Sequence, residues 1–188
     1  MKTQQLISIL KFIFWIVFIS LLITVGVLVF TFGLGSIDPE KARIIYLNLD
    51  LFKLRTTDIR AFWAVGSLSI TVVSLHAYIA YLAIKIATTG NLRHPFTEAT
   101  AILISKISQL ALGCGIISII ADRYCRRLIK KGFEADLTLG GQRFIEEGIE
   151  IDFTLSGKEF LFLAAILFFI AKVFQRGIEL QTENDLTV

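Results

Sequence analysis

The residues best suited to chemistry in this sequence are two histidines and two cysteines, and one of them, His76, lies inside a long apolar run. A titratable side chain within a membrane segment is a candidate functional group, and an imidazole could sense pH. Hydroxyl-bearing residues surround it, namely Ser67, Ser69, Thr71, Ser74, Tyr78 and Tyr81. The alternative is a neutral imidazole hydrogen-bonded to a neighbouring helix, because membrane bundles use polar residues for packing. We favour this structural interpretation and keep His76 as a candidate intramembrane polar site.

The second intramembrane candidate, Lys106, lies about one turn into another apolar run. A lysine at this depth is expected to extend its ammonium group toward the membrane surface. The four apolar runs of the sequence contain no Asp or Glu with which it could pair. Because ion-coupled transporters typically place carboxylates within the membrane, a coupled transporter working alone is disfavoured.

The two cysteines favour no redox chemistry. Cys114 and Cys125 are eleven residues apart, about 16 Å along one helix, which is far beyond the reach of a disulfide. The sequence has no C-x-x-C pair and no hydrolase, zinc-protease, P-loop or dinucleotide motif. Only His76 and His94 could serve as imidazole ligands, which nearly excludes a histidine metal site. We therefore expect neither an enzyme nor a cofactor.

The composition is that of a membrane protein. Hydrophobic residues make up 55% of the 188 residues and charged residues 19%, with a mean hydropathy of +0.72. Soluble domains are roughly 45–50% apolar and about 25% charged. The net charge of +3 is too small to indicate a basic nucleic-acid binder, so we expect no direct binding of nucleic acid.

Four apolar runs are predicted to cross a bilayer, which needs about 20 helical residues. The uncharged core of the fourth, 160–171, covers only about 18 Å, so it spans only if Glu159 and Lys172 lie near the two membrane interfaces. Two of the four runs, 12–35 and 61–84, contain no charged residue. The predicted spans are 10–34, 61–85, 99–121 and 158–176, in a single membrane domain that covers residues 1–188. The third helix is expected to continue to residue 131, because cations follow at helical spacing and Gly132 is a natural helix stop. An even number of spans places both termini on the same side.

On the membrane side opposite the termini, three segments alternate apolar and polar residues. This two-residue period is typical of a half-buried strand. They are residues 44–51, 133–139 and 149–155. Because three strands that share an apolar face can hold together in water, we expect a small three-stranded antiparallel sheet. The predicted fold is thus mainly α, an integral membrane four-helix bundle that carries this sheet on the side away from the termini.

Two segments carry a resemblance to a known family. One is Asn91-Leu92-Arg93-His94-Pro95-Phe96-Thr97, and the other runs from Arg176-Gly177-Ile178-Glu179-Leu180-Gln181 to Val188. Over nearly its whole length the chain resembles an uncharacterised bacterial membrane family, domain of unknown function 2975. The resemblance implies no catalytic residue, but members are often encoded beside a small helix-turn-helix regulator, which implies such a regulator as a partner. The candidate partner-binding residues are Asn91, Pro95, Phe96, Arg176, Gly177, Glu179, Gln181, Glu183, Asn184 and Asp185.

Two arguments about membrane orientation disagree. The side that holds the termini carries seven basic residues and the other side twelve, so the positive-inside rule places the termini outside. A cytoplasmic regulator, however, could reach the two recognisable segments only from inside. We follow the resemblance and expect a multi-pass protein of the bacterial inner membrane, with cytoplasmic termini and an extracytoplasmic sheet.

These observations predict an accessory or regulatory protein in the lipid bilayer that acts by protein–protein contact. The small residues Ala111, Gly113 and Gly115 should allow close helix packing, within one chain or between the copies of a homo-oligomer. The alternative function is that of a small transporter or channel subunit, in which His76 and the hydroxyl-bearing residues of the second span line a polar path.

Overall fold

A computed structural model describes residues 2–38, 45–46, 49–89, 97–133 and 157–185. Four of its helices are long and apolar enough to cross a membrane, and each contains one of the predicted spans, so the prediction of four such helices is confirmed. The elements are α1 (Lys2–Ile37), β1 (Ile45–Tyr46), β2 (Leu49–Asp50), α2 (Leu51–Thr57), α3 (Ile59–Thr89), α4 (Glu98–Leu128) and α5 (Gly157–Asp185). Beyond α4 the chain makes a π-helical turn, Ile129–Phe133, in which Gly132 has a φ of 89°.

The long helices pack in chain order, with α1 against α3, α3 against α4, and α4 against α5. Within the described residues, α1 and α5 form no comparable interface, so these two helices stand at the edges of the assembly. Only 6% of the most apolar window of α1 is buried, against 39% for α4. α3 and α4 are therefore the inner helices, and α1 presents apolar side chains on most of its circumference.

Apolar side chains also cover the outward surfaces of the long helices. Phe12, Phe30, Phe162 and Phe169 are each at least 66% exposed, which would be unfavourable over so large an area in water. The two tryptophans, Trp15 and Trp63, are both 48% exposed and lie near opposite ends of the apolar runs. This is the distribution expected of lipid-facing helices with aromatic residues at the two interfaces.

α4 and α5 approach each other closely because small residues meet at their contact. A Cβ added at Gly115 would lie 2.9 Å from the carbonyl oxygen of Gly157, and one added at Gly157 would lie 2.7 Å from the carbonyl oxygen of Gly115. Ala111 and Ala164 are fully buried in the same interface. Ala111 and Gly115 thus pack within one chain, whereas a Cβ added at Gly113, the third small residue named from the sequence, would meet nothing within 4 Å.

The predicted strand 44–51 is wrong as a single strand. β1 and β2 fold back on each other as an antiparallel pair, with Ile45 opposite Asp50 and Tyr46 opposite Leu49. Asp50 then ends the pairing, because its side chain accepts a hydrogen bond of 3.0 Å from the Lys53 backbone N–H and caps α2. The predicted strand 133–139 begins at Phe133, which belongs to the π-helical turn. Its other residues, and all of 149–155, lie outside the described residues, so the structure shows a two-stranded pair and not a three-stranded sheet.

A compact layer, which we call the cap, covers the helix ends away from the termini. It consists of β1, β2, α2 and the helix ends that pack on them. Its core of buried apolar residues comprises Leu28, Phe32, Leu49, Leu51, Leu54, Ala61, Phe62, Val65, Val73, Cys125 and Leu128. Arg55 of α2 joins the cap to α1 by donating hydrogen bonds of 3.2 Å to the carbonyl oxygens of Gly35 and Ser36. These bonds satisfy carbonyl groups at the end of α1 that have no partner within the helix.

Candidate functional site

His76 lies where three helices meet. It is 8% exposed on α3, and its Nε2 atom lies 3.5 Å from Cys114 Sγ on α4, a hydrogen bond in which either group can donate. Its ring packs on Phe160 of α5, with the ring centroids 4.5 Å apart. These contacts agree with the structural interpretation, in which His76 is an imidazole hydrogen-bonded to a neighbouring helix.

The pairing of His76 with Cys114 was missed at the sequence level, because the residues are 38 positions apart. A signal was present in the helical hairpin formed by α3 and α4. His76 precedes the end of α3 by 13 residues, and Cys114 follows the start of α4 by 16. Residues at similar distances from a short connection lie at similar depths in antiparallel helices, so this comparison would have placed them within about one turn of each other.

Two serines of α4 extend this polar contact along the helix. Ser108 donates a hydrogen bond of 3.0 Å from its buried hydroxyl to the carbonyl oxygen of Ala164 on α5. Ser118 follows Cys114 by one turn, and its buried Oγ has no hydrogen-bond partner of acceptable geometry in the described part of the chain. Cys114 thus joins α4 to α3 and Ser108 joins α4 to α5.

Most hydroxyl-bearing residues of α3 do not share a surface with His76. Ser67, Thr71 and Ser74 are exposed and lie about 140–180° around the helix from His76. The Thr71 hydroxyl donates to the Ser67 carbonyl oxygen at 2.7 Å, and the Ser67 hydroxyl donates to that of Ala64 at 3.1 Å. Of the four Ser and Thr residues that precede His76 in α3, only Ser69 is buried on the same side.

Lys106 is exposed on α4, about 12 Å along the helix from Cys114. It is therefore not part of the contact between His76 and Cys114. Its exposure agrees with an ammonium group that extends toward the membrane surface. No group of three or more metal-ligating side chains occurs among the described residues.

The candidate partner-binding residues near the C-terminus lie on a projecting part of α5. The contact between Ser108 and Ala164 fixes the antiparallel register of α4 and α5, which places Phe174 level with Glu98, the first residue of α4. Residues 175–185 therefore extend about 16 Å beyond α4. We call this segment the α5 tail.

Side chains of the α5 tail are largely open to solvent. Arg176 donates to Glu179 at 2.7 Å, and the two side chains are 64% and 58% exposed. Gln181 and Glu183 are exposed as well, while Gly177 is half-buried. Asn184 and Asp185 belong to the helix, but their side chains are outside the described set, as are Asn91, Pro95 and Phe96.

The connection that contains Asn91–Phe96 ends at the same end of the molecule as the α5 tail. Thr97 caps α4, because its Oγ1 accepts a hydrogen bond of 3.3 Å from the Thr100 backbone N–H.

Comparison with protein-family models finds no match, and neither does comparison with curated proteins or with solved structures. The resemblance to domain of unknown function 2975 therefore stays a prediction.

Proposed function

We propose that this chain is a regulatory or accessory protein of the bacterial inner membrane that binds a soluble cytoplasmic partner through the α5 tail. The observation that carries the proposal is the projection of this helix about 16 Å beyond α4, with Arg176 and Glu179 displayed as an exposed ion pair. The resemblance described above supports a small helix-turn-helix regulator as the partner. The mechanism is binding alone.

Helix energetics are compatible with a binding role for the α5 tail. The 11 residues from 175 to 185 continue the packed helix α5, so they need no separate nucleation. The exposed ion pair contributes only about 0.2–0.5 kcal/mol to the tail. A partner that covers one side of the tail would stabilise it, and Leu180, 47% exposed, would supply apolar contact beside the charged pair.

The proposal requires cytoplasmic termini, although the opposite side carries more basic residues. Internal hydrogen bonds do not remove this difference. Lys53 donates to the carbonyl oxygen of Gly132 at 2.7 Å, Arg55 to the end of α1, and Arg126 to Asp122. On the terminal side Lys172 donates to Gln175 and Arg176 to Glu179, so the orientation in this proposal rests on the resemblance.

The transporter alternative gains no comparable support. A polar path would need His76 and the hydroxyl groups of Ser67, Thr71 and Ser74 to face one space. They lie on opposite sides of α3, and His76 is covered by Cys114 and Phe160. We therefore carry only the regulatory function forward.

A charge exchange in the α5 tail tests the proposal without removing the helix. The double variant Arg176→Glu with Glu179→Arg keeps an ion pair and the net charge but inverts the pattern that a partner would meet. With the full chain in lipid nanodiscs, we expect affinity capture from cytosolic extract to recover a helix-turn-helix protein. We expect the exchange to weaken its binding at least about tenfold, because a hot-spot contact contributes about 2 kcal/mol or more.

The matched control is the same exchange in the other exposed ion pair, Asp122→Arg with Arg126→Asp on α4, whose atoms lie 3.0 Å apart. This control should bind the recovered protein as the unmodified chain does. Binding as tight as that of the unmodified chain, by the tail variant or by a chain without residues 176–188, would contradict the proposal. So would the absence of any helix-turn-helix protein from the captured material.

A further inference from the structure

Five cations form one exposed face at the end of α4 and in the π-helical turn, which we call the basic face. Its residues are Arg123, Arg126, Arg127, Lys130 and Lys131, and all five are exposed. Arg123 and Arg127 each lie about 160° around the helix from Cys125, which is buried in the cap core. The cations are thus displayed directly away from the packed side of the helix.

Among the residues that the structure describes, acidic side chains neutralise little of this charge. Asp122 binds Arg126 at 3.0 Å, with both side chains more than half exposed, and no other described carboxylate forms an ion pair with the basic face. Four of its cations, within nine residues, therefore have no carboxylate partner in the described part of the chain.

The basic face begins directly after the apolar segment of α4, where a membrane surface is expected. The uncharged run of α4 ends at Ala121, so the first cation follows within two residues of the apolar segment. The whole face extends only about 12 Å further along the axis, which is comparable to the Debye length of about 8–10 Å in physiological salt. Phosphate groups of a lipid surface would lie within direct reach of its long side chains.

The cap holds the basic face in place. Cys125 and Leu128 anchor the last turns of α4 in the cap core, and Lys53 donates to the carbonyl oxygen of Gly132 at 2.7 Å. The cations therefore project from a fixed helix and not from a free chain end. A fixed support lowers the entropic cost of binding.

We propose that the basic face binds the phosphate groups of anionic phospholipids in the adjacent membrane leaflet. Charge complementarity and position both select this occupant, since clusters of basic residues immediately beyond a membrane helix attract anionic lipids. The site is at the opposite end of the molecule from the α5 tail, so it does not depend on the proposed regulatory function.

The test measures lipid binding by the full chain in detergent micelles, by native mass spectrometry, with short-chain phosphatidylglycerol and phosphatidylcholine as probes. We expect phosphatidylglycerol to bind about tenfold more tightly or better, and 0.5 M salt to reduce the difference. The variant Arg123→Gln, Arg127→Gln, Lys130→Gln should bind the two lipids equally. The control Lys85→Gln, Lys106→Gln, Lys172→Gln removes the same charge near the other end and should keep the preference.

Three results would overturn the proposal. One is equal binding of the two lipids by the unmodified chain, and another is an equal loss of preference in the control variant. The third is competition by millimolar inorganic phosphate or by an acidic peptide as effective as that by phosphatidylglycerol, which would assign the face to a soluble anion or a protein. Thermal unfolding of each variant shows that the helices are intact.

Discussion

Replacing Phe62 by alanine should destabilise the protein by about 3–5 kcal/mol, the range for removal of a large aromatic side chain from a packed core. Phe62 is completely buried in the cap, and its ring lies 5.1 Å from that of Phe32 on α1. The substitution would leave a cavity between α1, α3 and α2, because the helix backbones cannot close around the missing ring. We expect the ends of these helices to separate before the rest of the molecule unfolds.

The adjacent residue supplies the control. Trp63 is of similar size but is 48% exposed, and its ring touches Phe62 only at a centroid distance of 6.0 Å. Trp63→Ala should therefore cost about 1 kcal/mol or less, as surface substitutions do. Thermal unfolding in detergent, followed by circular dichroism at 222 nm, measures both variants. Equal losses at the two positions would show that the cap core is not packed as described.

The second large effect is expected at Gly115, where α4 and α5 are in backbone contact. An alanine Cβ would lie 2.9 Å from the carbonyl oxygen of Gly157 and 2.9 Å from Leu161 Cδ2. Leu161 can rotate away, but the Gly157 carbonyl is backbone and can move only with the whole of α5. Overpacking of this kind costs about 1–3 kcal/mol, so Gly115→Ala should lower the unfolding temperature and weaken the α4–α5 interface.

Gly113 lies two residues earlier on the same helix and provides a matched comparison. A Cβ added there meets nothing within 4 Å, and alanine favours a helix over glycine by about 1 kcal/mol. Gly113→Ala should leave stability unchanged or raise it, so the two substitutions should have opposite signs. A shift in the same direction at both positions would contradict the close approach of α4 and α5.

The four long helices could be predicted from the sequence because charges are absent from two runs longer than a bilayer requires and are sparse in the other two. The end of the helical segment that continues α4 could be predicted too, because Gly132 follows a basic turn. In the structure Gly132 adopts a left-handed φ of 89°. The structure of segment 44–51 could not be predicted, because alternation of apolar residues fits both a straight strand and a pair of short antiparallel strands. The competing signal was the helical cap at Asp50, followed by Leu51 and Leu54, which are three residues apart and both buried.

For the candidate sites, individual residues could be named from the sequence, but the contacts between helices could not be predicted. The exposed residues of the α5 tail could be singled out from the sequence only through the family resemblance, and their projection depends on the register between α4 and α5. That register is set by Gly115 against Gly157 and Ser108 against Ala164, pairs of small residues that have no distinctive periodicity. The contact of His76 with Cys114 likewise joins two helices and leaves no local pattern.

Photo-crosslinking in living cells tests the binding of a cytoplasmic partner most directly. A photoreactive amino acid at Gln181, exposed on the α5 tail, is compared with one at Thr56, exposed on the cap. We predict that irradiation joins position 181 to a helix-turn-helix protein and gives no such product at position 56. Products at position 181 that contain only extracytoplasmic proteins would contradict both the proposed partner and the proposed orientation. A helix-turn-helix product at position 56 would contradict the proposed orientation and the α5 tail as the binding site.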